Sequence, residues 1–382
     1  MSRSRGTADA GLRARTLALS AVTDADAERW QRLSQRALEP NPFLDPRYLL
    51  TAQRMLDGVD DIRLVVVEDG ERWLAVTALS PVGPFPNTSL PYASTAGAYL
   101  GRHAGLCAPL MDSERAEQAM AATLEHLMSQ RSGLPGLIEL TLLYADGPVL
   151  RLLHAQCRRL GIPLQQRSRF VRAFMEFAPE VSPWQHLSPT RRKNLGRLRR
   201  RLEGDLGRLE FVDHGSSMAA LETLLDLEAA GWKGRRGSAK REKPAELAWY
   251  REVMRLFGET GEFRVATLRA AQHTIYAALV LVIGGRAFGM IDAYDERFAA
   301  ASPGALGRVM EQEVLKADPS VRTFDPCMHP KYADATSLYP GRREMVSVLL
   351  GVRGRSRALL RLRPIVRSMY RRTAALTGAA HR

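Results

Sequence analysis

The sequence predicts a mixed α/β protein that has mainly antiparallel sheets with flanking helices and is organised as two similar domains. Its 382 residues exceed the roughly 250 to 300 at which a single hydrophobic core stops growing. Both halves also show one order of predicted elements: a strand, two helices, antiparallel strands, a helix and a strand. Three prolines between Pro179 and Pro189 mark the boundary between the halves. Duplication of one fold explains this order most simply.

The first half alternates helical and strand patterns. Asp24 is placed to cap the helix that it begins. The Asp69-Gly70 pair joins two β-rich runs, which predicts a hairpin. The stretch Ser80–Pro109 is rich in Pro, Gly and Ser and predicts a long irregular loop. The elements predicted in this half are strands at Thr16–Val22, Ile62–Glu68, Trp73–Leu79, Leu137–Leu142 and Phe170–Phe177, and helices at Asp24–Leu38, Arg47–Leu56, Ser113–Ser129 and Pro148–Leu160.

The second half begins at Ser188-Pro189, which has the N-cap and N1 form of a helix start. Three successive strand patterns then lie between helical ones. The elements predicted in this half are strands at Leu209–Asp213, Phe263–Arg269, Thr274–Ile283, Arg286–Ala293, Val321–Asp325 and Glu344–Gly351, and helices at Met218–Trp232, Ala245–Gly258 and Pro303–Lys316.

Composition and cysteine usage predict a cytoplasmic protein without a structural metal. The cysteines, Cys107, Cys157 and Cys327, are far apart and lack the spacing of a zinc site or a redox pair. The first twenty residues lack the apolar segment of a secretory signal. The longest apolar run, Tyr276–Ile283, is far shorter than the ~18 residues of a membrane span.

The formal net charge of +14 indicates an anionic partner, and it is concentrated in two blocks. Arg191–Arg201 lies on a predicted helix, where it is either a solvated face or a contact for phosphate, tRNA or an acidic acceptor. No aromatic residues are interleaved with it, which argues against single-stranded nucleic acid. The segment 353–382 has no acidic residue, so it either lies on an anionic membrane, docks on the protein or is partly disordered.

Ser302, Gly304, Gly307 and Arg308 begin the helix that follows the third of the successive strands. A helix N-terminus with unbonded N–H groups and a glycine that allows close approach is suited to bind a phosphate. The alternative is that this segment only starts a helix.

Glu228, Trp232 and Lys233 lie at the end of a predicted helix, and the first two are four residues apart on one face. The indole would contact an apolar substrate, and the carboxylate would act as a general base or orient an amine. The alternative is that Trp232 is a core residue and Glu228 faces solvent.

Asp292 and Tyr294 alternate along a strand and would share one of its faces. A carboxylate and a phenol can remove a proton from an amine and supply one to a leaving thiolate. The alternative is that both side chains satisfy the backbone of the adjacent loop.

Other enzyme chemistries lack support in the sequence. His103, His154, His186 and His329 have no second ligand or triad partner at a recognisable distance, so a nucleophilic serine or cysteine enzyme is not indicated. No Walker sequence and no G-x-G-x-x-G after a strand is present, which disfavours nucleotide hydrolysis and hydride transfer.

Taken together, residues 15–350 resemble the GNAT acyltransferases of the CelD/BcsL type, which are linked to cellulose biosynthesis and related to the FemAB tandem fold. Asp325 ends the late strand at a family position. Relatives continue there with Gly and then a Tyr-Lys pair before a Trp, whereas this chain continues Pro326–Pro330. The other positions that carry the resemblance are Asn41–Leu44, Ala108–Leu110, Arg191–Arg201 leading into Leu209–Val212, Leu227–Arg235, Tyr294–Glu296 and Ser302–Gly304.

The resemblance implies two GNAT-like domains at 15–178 and 179–352, the second catalytic. The spacing of apolar residues and arginines adds a basic amphipathic helical tail at 353–382. The resemblance also implies transfer of an acyl group, typically acetyl, from acyl-CoA to a small-molecule or glycan-precursor amine by direct attack, without a metal. Glu228, Asp292 and Tyr294 would transfer protons.

The remaining roles follow from the same resemblance. Ser302, Gly304, Gly307 and Arg308 would hold the CoA phosphates, while Trp232, Lys233 and Asp325 would contact the acceptor. The alternatives are a FemAB-like aminoacyltransferase that uses charged tRNA, or an accessory protein of polysaccharide assembly that has lost catalysis and lies at the inner face of the membrane.

Overall fold

The computed structural model describes residues 11–178 and 182–362, which form two compact units. The first unit is built from the chain up to Pro46, Gly58–Arg169 and the chain from Met345 onward; the second is built from Arg47–Asp57 and Phe170–Glu344. The predicted features that fall on residues 1–10, 179–181 and 363–382, including most of the basic tail, lie outside the described residues. The domain limits given above therefore stay a prediction.

The strands are short to medium in length and are numbered in chain order. They are β1 (Leu12–Ala18), β2 (Arg63–Asp69), β3 (Arg72–Pro84), β4 (Pro91–Ser94), β5 (Leu110–Met111), β6 (Leu137–Tyr144), β7 (Leu164–Glu176), β8 (Leu209–Asp213), β9 (Phe263–Ala270), β10 (His273–Ile283), β11 (Arg286–Tyr294), β12 (Thr323–Asp325) and β13 (Gly341–Gly351).

The helices are α1 (Asp24–Gln35), α2 (Pro46–Met55), α3 (Leu100–His103), α4 (Ala116–Met128), α5 (Pro148–Leu160), α6 (Pro189–Leu206), α7 (Met218–Ala230), α8 (Trp232–Arg235), α9 (Pro244–Gly258), α10 (Pro303–Ala317) and α11 (Ala333–Thr336). Residues 354–362 are also helical. Short 3-10 turns occupy Leu19–Ala21, Pro42–Leu44, Gln130–Ser132, Lys240–Glu242 and Glu296–Ala301.

In the first unit the strands follow the order β1-β2-β3-β4-β6-β13, and β5 pairs with β3. The pairing is antiparallel except between β4 and β6, which run parallel. Leu360, in the helical segment 354–362, is buried with Phe85, Tyr92, Leu137 and Leu349. The described part of the basic segment therefore docks on the first unit, and membrane contact by the rest stays a prediction.

In the second unit the strands follow the order β7-β12-β11-β10-β9-β8, again mostly antiparallel. The exception is the parallel pair β11 and β12, which is matched at Arg286 with Thr323, Ala287 with Phe324 and Phe288 with Asp325. An apolar cluster packs between the sheet and helices α6 and α10. Both units therefore have the mixed, mainly antiparallel sheet with flanking helices that the sequence predicts.

Local sequence signals predict the bounds of most helices and strands to within a few residues of the observed bounds. Helix α5 and strand β8 have the predicted bounds. Ser188 caps α6 by accepting a hydrogen bond from the backbone N–H of Arg191. Helix α1 is instead capped by Thr23, whose hydroxyl and backbone form a reciprocal capping box with Asp26.

The prediction of a long irregular loop at Ser80–Pro109 is wrong. This stretch contains the end of β3, strand β4 and the short helix α3. Strand β4 pairs antiparallel with β3 and parallel with β6, which is more than forty residues away in sequence. Because pairing partners rather than local periodicity create this strand, its proline-containing sequence did not indicate it.

A buried ion pair lies at the end of the parallel pairing in the second unit. The carboxylate of Asp325 is bound by the guanidinium of Arg172 on β7 at 2.5 Å, and the side chains are 0% and 3% exposed. Asp325 also accepts a hydrogen bond from the backbone N–H of Cys327 at 2.9 Å. The pair therefore fixes the chain where it leaves β12.

Replacing Asp325 with alanine should lower the free energy of unfolding by about 3–5 kcal/mol, because the charge of Arg172 stays buried after this ion pair is lost. Asp205→Ala is the matched control. That carboxylate is 66% exposed and lies 4.0 Å from Arg201, so its removal should change stability by less than about 0.5 kcal/mol. Urea denaturation measures both values, and equal losses would contradict a structural role for the buried pair.

Candidate active site

A cavity of about 770 Å³ opens in the second unit where β11 and β12 part. Their parallel pairing ends at Phe288 and Asp325. Beyond that point one wall consists of 289–294 on β11, and the opposite wall contains Pro326–His329 and 331–335. The volume lies within the range of about 300–1,000 Å³ that is typical of small-molecule and cofactor sites.

The sequence provides two local reasons for this separation. A Cβ atom at Gly289 would lie 2.9 Å from the backbone of Pro326, so glycine allows the two chains to approach closely before they diverge. The register between β10 and β11 also shifts between Leu279 and Val280, which marks a bulge. Bulges bend and twist a strand and are common beside active sites.

Charged and phenolic groups converge on one side of the cavity. The guanidinium of Arg308 lies 2.6 Å from the carboxylate of Asp292. The hydroxyl of Tyr276 donates to Glu311 at 3.3 Å and lies 3.5 Å from Asp292. Tyr339 is buried and lines the same wall. Arg308 therefore pairs with Asp292, and Tyr276 links this ion pair to the buried Glu311.

Burial and charge together set the protonation of this cluster. Burial, and then the nearby charge of Asp292, raise the pKa of Glu311 to about 8. Burial is also the main reason that the pKa values of Tyr276 and Tyr339 lie well above their usual range. Burial works to lower the pKa of Arg308, but Asp292, Tyr276 and Tyr339 together outweigh it and the net change is upward. At neutral pH, Glu311 and both phenols therefore hold their protons.

The end of α7 supplies a second polar group. Glu228 is 4% exposed, accepts a hydrogen bond from Lys233 Nζ at 2.8 Å and accepts another from the backbone N–H of Lys240 at 2.9 Å. Trp232 is 38% exposed. The alternative interpretation, with Trp232 in the core and Glu228 in solvent, is therefore the reverse of the observed burial.

The turn that follows β11 is hydrogen-bonded to the backbone just after α7. Glu296 accepts a hydrogen bond from the backbone N–H of Trp232 at 2.6 Å and pairs with Arg235. Asp295 caps the turn by accepting from the backbone N–H of Arg297. As a result the α7 end and the β11 end face one cavity.

The structure brings together six of the ten residues singled out from the sequence. These six line the cavity: Glu228, Trp232, Lys233, Asp292, Tyr294 and Arg308. Ser302, Gly304, Gly307 and Asp325 are not among its lining residues.

Gly307 and Gly304, two of these four residues, lie close to side chains of neighbouring elements. A Cβ atom at Gly307 would lie 2.2 Å from the ring of Tyr276, so this glycine allows α10 to pack on β10. A Cβ atom at Gly304 would lie 3.1 Å from the ring of Tyr294 and 3.4 Å from Arg308. Because Pro303 has no N–H, Gly304 provides the first amide donor of α10.

Sequence reasoning missed Glu311, Tyr339 and the pair Lys331-Tyr332, all of which line the cavity. One signal was available for Glu311, which follows Gly307 by four residues and therefore lies on the buried face of α10. The Lys331-Tyr332 pair has the two residue types of the Tyr-Lys pair found in relatives, in reversed order.

Within residues 11–178 and 182–362, no group of three or more His, Cys, Asp or Glu side chains could hold a metal ion. The helices of these same ranges are all too short or too polar to cross a membrane.

Comparisons with known proteins support the fold. Residues 189–329 match the family model of the acetyltransferase (GNAT) domain. FemX superposes with a TM-score of 0.53 at 9% identity, covering 83% of this chain and 95% of FemX. A conserved protein of unknown function from Bacteroides thetaiotaomicron VPI-5482 gives 0.50 at 11% identity, covering 86% and 98%.

A tandem GNAT protein from the clavulanic acid biosynthesis pathway gives a TM-score of 0.41 at 13% identity, covering 88% of this chain and 98% of its own. No curated protein matches the chain. The family model over residues 189–329 and the superposition on FemX together show a GNAT-type, FemAB-like acyltransferase fold. The matched domain contains most of the cavity wall, from Glu228 to His329.

The Glu311→Gln variant should weaken the pH dependence of stability. The folded protein holds the Glu311 proton up to about pH 8, whereas the group ordinarily releases it near 4.5. Stability should thus fall as pH rises between these values, by at most about 1.4 kcal/mol per pH unit from this group. Glutamine cannot ionise, so the variant should lose this slope.

Urea denaturation from pH 5 to 9 measures the effect. Glu313→Gln is the matched control, since Glu313 lies on the same helix but is exposed. It should retain the wild-type slope. Equal slopes in wild type and Glu311→Gln would contradict a buried, protonated Glu311.

Proposed function

We propose that the protein is an N-acyltransferase that transfers an acyl group, typically acetyl, from acyl-CoA to an amine. One observation carries this proposal: β12 ends after three residues paired with β11, and the chain that follows it diverges from β11 and leaves a cavity. The cavity has the size of a cofactor site. Proton-transfer groups, cations and apolar side chains all line it.

The reaction needs no covalent enzyme intermediate. The amine nitrogen attacks the thioester carbonyl, the C–N bond forms and the C–S bond breaks. One proton leaves the amine, and the thiolate of CoA takes up a proton as it departs. The enzyme must therefore provide an acceptor and a donor for these protons close to the reacting carbon.

Five groups of the cavity are suited to this proton transfer. Asp292 and Glu228 are carboxylates in its wall, and Tyr294 is a phenol on the same strand as Asp292. Glu311 joins this set because its pKa of about 8 lies close to the physiological range, where a general base or acid works best. Tyr339, which holds its proton, is suited to donate one.

The donor phosphates would lie at the start of α10. Gly304 offers the first amide of the helix, and Ser302 and Gly307 flank it on the same turn. Arg308 reaches the site with its guanidinium already bound to Asp292. The positive end of the helix dipole favours an anion there. Lys331, on the opposite wall, supplies a further cation.

The acceptor would enter beside Trp232 and Lys233, between the α7 end and the β11 end. We assign it to the class of small-molecule or glycan-precursor amines, as the CelD/BcsL resemblance implies. Asp325 would act through its ion pair with Arg172, by positioning the wall that begins at Pro326.

A FemAB-like use of aminoacyl-tRNA is the second candidate. The observation that favours it is the exposed face of α6, where Arg192, Lys193, Arg200 and Arg201 reach solvent. Salt-sensitive association with tRNA, together with no binding of CoA, would identify this activity. Binding of neither ligand would instead fit an accessory protein that has lost catalysis.

Isothermal titration with CoA and acetyl-CoA tests the main proposal. Wild type should bind both ligands, and Gly304→Glu should lose at least about tenfold in affinity, since the new carboxylate opposes the phosphates at the helix N-terminus. Gly204→Glu is the control, because Gly204 lies on helix α6 with no atom within 4 Å of a Cβ at that position.

The control should bind CoA like wild type. Thermal unfolding of Gly304→Glu shows whether it remains folded. Absence of binding to wild type at millimolar CoA would refute the proposal.

A further inference from the structure

Two large aromatic side chains of the cavity wall are exposed to solvent. Trp232 is 38% exposed and Tyr332 is 46% exposed, although both line the cavity between β11 and β12. The core of the unit buries its other large rings, such as Trp249, Tyr276 and Phe324. The exposed indole and phenol at the opening of the cavity therefore offer contact area to a binding partner.

A cation lies over each of these rings. The guanidinium of Arg236 is 5.3 Å from the centre of the Trp232 ring, and Lys331 Nζ is 5.1 Å from the centre of the Tyr332 ring. Among the described residues, neither Arg236 nor Lys331 has an acidic partner. The acidic side chains that line the cavity contact other groups or face solvent: Glu296 pairs with Arg235, Glu228 with Lys233 and Asp292 with Arg308, Glu311 is bonded to Tyr276, and Asp334 is exposed.

The basic helix α6 begins beside the same opening. Arg191 donates a hydrogen bond to the backbone carbonyl of Asp334 at 3.0 Å and another to the hydroxyl of Ser337. Arg192 and Lys193, the next residues of α6, are exposed and have no acidic partner among the residues that the structure describes. The positive surface around the opening thus extends onto α6.

We propose that this surface docks on an anionic phospholipid bilayer and turns the cavity opening toward the headgroups. The docking surface consists of Trp232, Arg236, Lys331, Tyr332 and the first turn of α6. Amphipathic rings such as Trp and Tyr favour the membrane–water interface, where one end is apolar and the other is hydrated. Each nearby Lys or Arg adds attraction to anionic lipid.

The geometry favours a bilayer over nucleic acid. Single-stranded nucleic acid is bound by aromatic rings that follow one another along a charged groove. Here the two exposed rings line a single cavity instead, and the basic face of α6 carries no aromatic side chains. A surface that surrounds one opening fits a planar, charged partner.

Docking on a bilayer extends the proposed function and rests on it in one respect. If the cavity transfers an acyl group to an amine, the docked orientation presents it to amines carried by lipids at the membrane surface. Docking itself requires no CoA. Vesicle binding and CoA binding can therefore fail independently, and each failure points to one proposal only.

Tryptophan fluorescence with brominated phospholipid vesicles tests the docking. Bromine on the acyl chains quenches an indole that enters the interface. Trp232 is the exposed tryptophan, since Trp30, Trp73 and Trp249 are buried and Trp184 is half-buried. The basic tail, 353–382, contains no tryptophan, so quenching reports the cavity opening and not the tail.

Full-length protein should sediment with vesicles of phosphatidylglycerol and phosphatidylcholine, and its emission should be quenched by brominated lipid. Trp232→Phe should still sediment but lose this quenching. Sedimentation without quenching of wild type, binding to tRNA in place of vesicles, or no sedimentation would each overturn the proposal.

Charge variants test the cationic part of the surface. Arg236→Gln combined with Lys331→Gln should weaken vesicle binding about thirty-fold, from about 1 kcal/mol per cation. Arg102→Gln combined with Arg158→Gln is the matched control. It removes the same charge from two exposed arginines of the first unit, and it should bind almost like wild type. Equal losses in both double variants would overturn the assignment to this surface.

Discussion

The short pairing between β11 and β12 is the constraint on which the site depends. These strands are paired over three residues, and then β12 ends at Asp325 while β11 continues to Tyr294. Asp325, at the last pair, is bound to Arg172 of β7 and to the N–H of Cys327. This buried contact directs the chain away from β11, so β11 and the segment after β12 become the walls of a cavity.

The electrostatics of the cavity follow from this separation. Helix α10 packs on the sheet through Gly307, which brings Arg308 and Glu311 toward the β11 side chains. The guanidinium of Arg308 then pairs with Asp292, and burial leaves the proton on Glu311. The formal charge of +14 of the whole chain does not describe this site, where both signs are balanced within a few ångströms.

Elements with strong local signals could be predicted from the sequence. Helix α6 begins with a Ser-Pro cap, and α5 begins with a proline and ends at a glycine in the left-handed region. Strand β4 could not be predicted, because it exists through pairing with strands that are distant in the sequence. The division of the chain into 15–178, 179–352 and 353–382 remains a prediction.

The candidate site, like the fold, could be predicted only where local spacing groups residues. Spacing alone grouped Glu228 with Trp232 and Asp292 with Tyr294, although α7 ends at Ala230 and Trp232 begins the separate helix α8. Their meeting in one cavity needs the tertiary fold. The role of Glu311 could not be predicted from the sequence, because a glutamate on a helix usually faces solvent. Only its burial beside Asp292 raises its pKa.

The most direct test of the central claim is amide hydrogen exchange of the full chain with and without acetyl-CoA. The ligand should slow exchange in 289–294 and 326–335, the two walls that part beyond Phe288 and Asp325. Binding of acetyl-CoA with protection elsewhere in the chain, and unchanged exchange in both walls, would contradict the placement of the donor between β11 and β12.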